Sequence, residues 1–265
     1  MAGNGIGALV RGGFNALFRP HRFVEFQTST YASTRVEALR QLGSLLGVYV
    51  VNLAAYAIPL TLAGIGVQSS QQPPPGYRSA VGQYGLEPAA SWQLLSAFVQ
   101  NSLYITAVTA ITLVTFHAGV LLVRDSRGVV QSMHTVVYTT SAYLAAVFTG
   151  VWYLTNQEGV AGARKLVRNL QAEFVYAIID VFGADLELPG GRPGELIPGS
   201  VSPAGQWVLA LLVVAVLYYL FSLYLGARIN HHASRSNALL AIVAVALSPV
   251  VYVGGSVVAY LIGVA

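Results

Sequence analysis

From Gly205 to the last residue the chain reads GQWVLALLVVAVLYYLFSLYLGA, then RINHHASR (228–235), then SNALLAIVAVALSPVVYVGGSVVAYLIGVA. Two uncharged apolar runs flank a link holding Arg228, His231, His232 and Arg235. Each run is long enough to cross a bilayer, since a helix needs about 20 apolar residues to span the hydrocarbon core. So short a link makes the two an antiparallel helical hairpin. The same arrangement recurs upstream, where Arg124-Asp125-Ser126-Arg127-Gly128 separates two further uncharged runs. Charged residues are absent from 41–77, 88–123, 128–157, 196–227 and 236–265. These gaps predict membrane spans at about 42–66, 93–123, 129–154, 205–227 and 237–262. Pro59 falls inside the first and predicts a kink there.

Composition agrees. Of 265 residues, 55% are hydrophobic and 9% charged, against the roughly 25% charged of a soluble domain. The mean hydropathy is +0.63. This excludes intrinsic disorder and a water-exposed globular surface. The chain has no cysteine, which removes disulfides, thiolate catalysis and cysteine-based metal or iron–sulfur sites. The expected fold class is therefore all-α, a polytopic membrane helix bundle with about five transmembrane helices. It comprises a cytoplasmic N-terminal segment (1–41), a five-helix membrane domain (42–262) and two outer loops (67–92 and 155–204).

The basic residues predict the orientation. Arg11, Arg19, Arg22, Arg35 and Arg40 precede the first span, and Arg124, Arg127, Arg228 and Arg235 lie in the two short links. The opposite side holds Arg78, Arg164, Lys165, Arg168 and Arg192. The positive-inside rule then places the N-terminus in the cytoplasm and the C-terminus outside, in a multi-pass cell-membrane protein. No cleavable signal peptide is expected, because the only early apolar run, Ile6 to Val10, is too short. No basic cluster is dense enough for nucleic-acid binding. The partners expected are the lipid bilayer and other membrane proteins or further copies of the chain.

Two segments outside the spans have their own signatures. Gln71 to Gly76 is a polyproline-type connector. Between about 159 and 183, Val160, Leu166, Val167, Leu170, Phe174, Ile178 and Val181 fall roughly on one face, opposite Arg164, Lys165, Arg168 and Glu173. That pattern predicts an amphipathic helix in the membrane interface or capping the bundle.

Little in the spans suggests chemistry. No span contains Asp or Glu, so no carboxylate pair is available for acid–base work. Neither a Gly-x-Ser-x-Gly elbow nor a His-Glu-x-x-His motif occurs, and no catalytic activity is expected. His117 and His134 are the sharpest candidates, each about 10 Å inside the membrane edge near the same links. Two imidazoles at equal depth can ligate a b-type haem; alternatively, each satisfies its hydrogen bonds with a neighbouring helix. No cofactor is assigned. His231-His232 reads as an exposed pair in a solvated link, with a pH-sensing or metal role as its sharper alternative. Arg11, Arg19 and Arg22, with Phe14, Phe18 and Phe23, suit a short amphipathic segment on anionic headgroups. The polar third span (Thr135, Tyr138, Thr139, Thr140, Ser141) offers a pathway for a small neutral solute.

Three separated stretches resemble the Yip-domain (Ypt-interacting protein) membrane family. Leu17-Phe18-Arg19-Pro20-His21-Arg22-Phe23 is similar to the aromatic-Arg-Pro-x-x-Phe entry before that family's first span. Gly128 to Leu144, with Gln131, His134 and Tyr138, resembles its stretch after the second-span loop. Leu223 to Leu240, with Gly226, Arg228 and His232, resembles its Gly-x-Arg hairpin. Where members often carry a proline after the tyrosine of the third span, this chain has Ala142 and Tyr143. The resemblance implies a non-catalytic integral membrane scaffold or interaction protein. It marks Arg19, Pro20, Phe23, Tyr138, Gly226 and Arg228 as motif positions. Eukaryotic relatives bind small prenylated GTPases and other membrane proteins in vesicle trafficking. The arginine bias and the abundance of Ala, Val and Gly point to a prokaryotic source, so the general scaffold role is what carries over. The alternatives are a small-solute transporter or permease component and a b-type haem membrane anchor.

Overall fold

A computed structural model of the protein describes residues 15, 21, 35–62, 64–67, 72–140, 161–187, 191–194 and 201–263. The described residues form helices, turns and irregular links, with no strand among them. The helices are α1 (Arg35–Leu62), α2 (Pro75–Gly82), α3 (Pro88–Leu122), α4 (129–140), α5 (Ala161–Phe182), α6 (Pro203–Asn230), α7 (Arg235–Ala246) and α8 (Ser248–Leu261).

Four segments are long and apolar enough to cross a membrane: Gln41–Leu62, Pro88–Leu122, Pro203–Asn230 and Arg235–Leu261. They coincide with four of the five expected spans, and the protein is a membrane protein by this measure. The expected third span begins as α4; its remainder, 141–154, lies outside the described residues, as does the N-terminal motif Arg19, Pro20 and Phe23. α1 continues through Pro59 and ends one turn later, at Leu62.

The starts of the helices follow from local sequence. Pro203 opens α6, where its missing N–H costs nothing, and the Ser202 hydroxyl accepts from the Gly205 amide. Ser234 caps α7 by accepting from the Asn237 amide. The last span, expected over 237–262, carries a break. It is divided at Leu247, because Pro249 cannot donate to the preceding turn. At this break the Ser248 and Thr115 hydroxyls lie 2.7 Å apart, joining α8 to α3.

α3 is the central helix. Its buried line runs Ala97, Asn101, Ile105, Thr109, Thr112, Phe116, Gly119 and Val120. α1 and α7 pack along it, and α6 packs on α7. A β-carbon on Gly119 would lie 2.8 Å from the Ala241 α-carbon, so α3 and α7 approach backbone to backbone. Small residues permit such contact where apolar burial gives no drive between helices in lipid. α1 is held by two polar ties: the Tyr49 hydroxyl donates to Thr106 Oγ1 at 3.0 Å, and Asn101 Nδ2 donates to Thr61 Oγ1 and to the Ile65 carbonyl. The outward faces carry Leu46, Val51, Val114, Leu211, Leu239 and Leu240, all exposed to what is lipid in the membrane.

α5 forms where the amphipathic helix was expected, but its apolar residues divide between two faces. Ala163, Ile178 and Ile179 are buried; Ala163 packs with Val208 of α6 and Ile179 with Val257 of α8. Leu170, Phe174 and Val181 point away, Val181 being 84% exposed. The helix therefore lies across the ends of α6 and α8 remote from the two short links. Periodicity identified the apolar positions and could not show that the bundle uses only some of them.

Candidate functional site

One group of the described polar residues, including Ser132, Asn230 and His231, converges at the end of the bundle where the two links lie. α3 and α4 bring one link there, α6 and α7 the other. Beneath them sits the largest apolar cluster, formed by Phe116, Val120, Val136, Leu223, Ala227 and Ala233, with Ala238, Ala241 and Val245 of α7. The links leave their helices through two non-glycine residues of positive φ, Arg124 (+59°) and His232 (+55°). Each turns the chain sharply enough to seat the next helix against the last.

His231 joins the two links. The expectation of an exposed pair holds for His232, whereas His231 is only 2% exposed, its ring edge-on to Phe116 at 5.8 Å between centroids. The Arg127 backbone N–H donates to its Nδ1 at 3.2 Å. Nδ1 is thus the acceptor and Nε2 carries the proton, which faces the Ser132 oxygen at 3.1 Å. The Ser132 hydroxyl is then free to donate to His117 Nδ1 at 2.9 Å. The chain Arg127 N–H, His231, Ser132, His117 unites α3, α4, α6 and their links. Burial drives the His231 pKa down from 6.5 to about 4, with His117, Arg127 and His232 adding to the fall and Asp125 opposing it. The ring is neutral near pH 7, as its accepting Nδ1 requires.

Further bonds surround this chain. Asn237 Nδ2 donates to Asp125 Oδ2 at 2.7 Å, a second tie between the links. Asn230 Nδ2 donates to Thr135 Oγ1 at 2.8 Å. Thr135 sits over Gly226, where a β-carbon would lie 2.9 Å from its Oγ1 and 3.1 Å from its Cβ. Arg228 bends back to donate to the Ala233 carbonyl at 2.6 Å, closing its own link.

Of the candidate residues, Gly226 and Arg228 therefore take part in this assembly, Gly226 by admitting Thr135 and Arg228 by bracing the 231–234 turn. Tyr138 lies one turn from His134 on α4 and stacks on it, with ring centroids 6.1 Å apart. The structure thus brings His117 to His231 through Ser132, and His134 to Tyr138; it shows no contact joining His117 to His134. Among the described residues no three His, Asp or Glu side chains gather as metal ligands. Ser132, Asn230, Asp125 and Asn237 were not singled out from the sequence. Ser132 carried a signal, being a polar residue within an uncharged window.

No family model matches the chain, and neither does any curated protein or solved structure.

Proposed function

We propose that the protein is a non-catalytic integral membrane scaffold, similar in kind to Yip-domain proteins, that binds other membrane proteins. We place it in the cell membrane with its N-terminus and both short links on the cytoplasmic side. The support for this orientation is the excess of arginine in the links and the N-terminal segment.

One observation carries the scaffold reading over the transport reading. Two polar residues at the start of the third span, Ser132 and Thr135, are engaged in packing. Ser132, Thr135 and Thr139 are buried; Ser132 bonds to two histidines, and Thr135 bonds to Asn230 and fills the notch at Gly226. A solute pathway needs such groups facing an opening. A scaffold needs them where they are, fixing two hairpins as one rigid end that presents its links and lipid-facing sides to partners.

The test is purification of tagged protein from its native membrane in mild detergent, with a visible spectrum taken before bound proteins are identified. Stoichiometric membrane partners and no chromophore support the proposal. A haem spectrum would move the assignment to a membrane anchor. A colourless, solitary protein that transports a solute in vesicles would overturn it in favour of a permease.

A further inference from the structure

Four arginines stand in or beside the two links, and among the described residues only one of their guanidinium groups has a hydrogen-bond partner. Arg228 donates to the Ala233 carbonyl. Arg124, Arg127 and Arg235 are exposed, and no ion pair involves their side chains among the described residues. The nearby carboxylate, Asp125, faces the Asn237 amide. The bonds from Arg127 N–H to His231 and from Asn237 to Asp125 hold both links together, so these guanidinium groups belong to one surface. Two helices end here and two begin, so their dipoles largely offset and the arginines set the local charge.

The surface is also amphiphilic. Leu121 and Leu122 precede Arg124 and are exposed, Leu122 to 81%. Val129 follows Arg127, and Leu239 with Leu240 stands one turn beyond Arg235 on α7; all three are exposed. Each unpaired cation therefore has exposed aliphatic side chains beside it, on the side toward the membrane. We propose that Arg124, Arg127 and Arg235 form a binding surface for anionic phospholipid, the headgroup phosphate taken by the arginines and the acyl chains lying on Leu121, Leu122, Leu239 and Leu240. Charge complementarity selects the anionic headgroup. The adjoining leucines select a lipid over a soluble anion or an acidic protein segment, which would leave them uncovered. The inference stands whichever membrane protein the scaffold binds.

The experiment measures binding of phosphatidylglycerol and of phosphatidylcholine with identical acyl chains to the full-length protein in mild detergent, by native mass spectrometry. Phosphatidylglycerol is expected to bind at least about tenfold more tightly. Arg127→Gln and Arg235→Gln should each weaken it roughly fivefold, Arg→Lys at the same positions should weaken it less, and added salt should reduce it. Lys165→Gln/Arg168→Gln, at the other end of the bundle, should leave it unchanged and serves as a folded control. Equal binding of the two lipids, or full binding by the Arg127→Gln/Arg235→Gln variant, would overturn the proposal. So would competition by glycerol phosphate or by an acidic peptide at the same concentration as the lipid.

Discussion

Replacing Gly226 with alanine inserts a methyl group where α6 meets α4, and the structure specifies what it meets. The new carbon would lie 2.9 Å from Thr135 Oγ1, 3.1 Å from its Cβ and closer still to its Cγ2 methyl. All three atoms belong to a buried side chain whose hydroxyl is held by Asn230 at 2.8 Å, so Thr135 cannot turn away without breaking that bond. Overpacking of this kind costs about 1–3 kcal/mol. Thr135→Ser removes the Cγ2 methyl and keeps the hydroxyl; alone it should cost about 0.8 kcal/mol for the buried carbon. In Gly226→Ala/Thr135→Ser the worst clash is gone, so the double variant should be more stable than the sum of the single losses by about 1–2 kcal/mol. The assay is reversible denaturation in mixed micelles, followed by helix content. A Gly226→Ala variant within about 0.5 kcal/mol of wild type, or a strictly additive double variant, would refute this contact.

Three other outcomes follow from the same geometry. The His231 pKa falls from 6.5 free to about 4 folded, so its contribution is complete above pH 6.5 and is lost as pH drops toward 4. The loss reaches about 3 kcal/mol at most, and His231→Gln should flatten that part of the stability–pH curve; His117, Arg127, Asp125 and His232 are the titratable and charged groups acting on the ring. Arg124→Gly should stabilise the α3 terminus by about 1 kcal/mol, because Arg124 holds a φ of +59° that glycine adopts without strain; an unchanged or lower midpoint would count against that geometry. Asn101→Leu removes both bonds that hold the end of α1, to Thr61 and to the Ile65 carbonyl. It should cost about 1 kcal/mol and speed proteolysis after Leu62, whereas unchanged cleavage would show that packing alone fixes that end.

Much of the architecture was legible because charge is expensive in hydrocarbon. The uncharged windows locate the four spans, and the short links pair α3 with α4 and α6 with α7 as hairpins. Three features were not legible, each for a physical reason. The two adjacent histidines of the second link look alike in sequence, yet His231 is buried by Ser132, 99 residues earlier in the chain, and by the Arg127 amide. Hydrophobic periodicity located α5 but could not divide its apolar residues between a packed and an outward face. Gly226 was marked by its resemblance to a motif, whereas its fit to Thr135 is a matter of helix pairing that no local pattern encodes. Pro249 was legible in principle, since a proline within a span predicts the break found at Leu247.

The two hairpins are bound together at their links, on the side we propose to be cytoplasmic. The chain has no cysteine, so introduced thiols report without background. Asp125→Cys/Asn237→Cys places two thiols where the native side chains meet at 2.7 Å. The measurement is crosslinking of this variant with a short, membrane-impermeant bis-thiol reagent, on intact cells and on cells opened to the cytoplasm. No crosslink is expected in intact cells, and a near-complete intramolecular one after opening. A crosslink in intact cells would contradict the orientation, and none in opened cells would contradict the joined links.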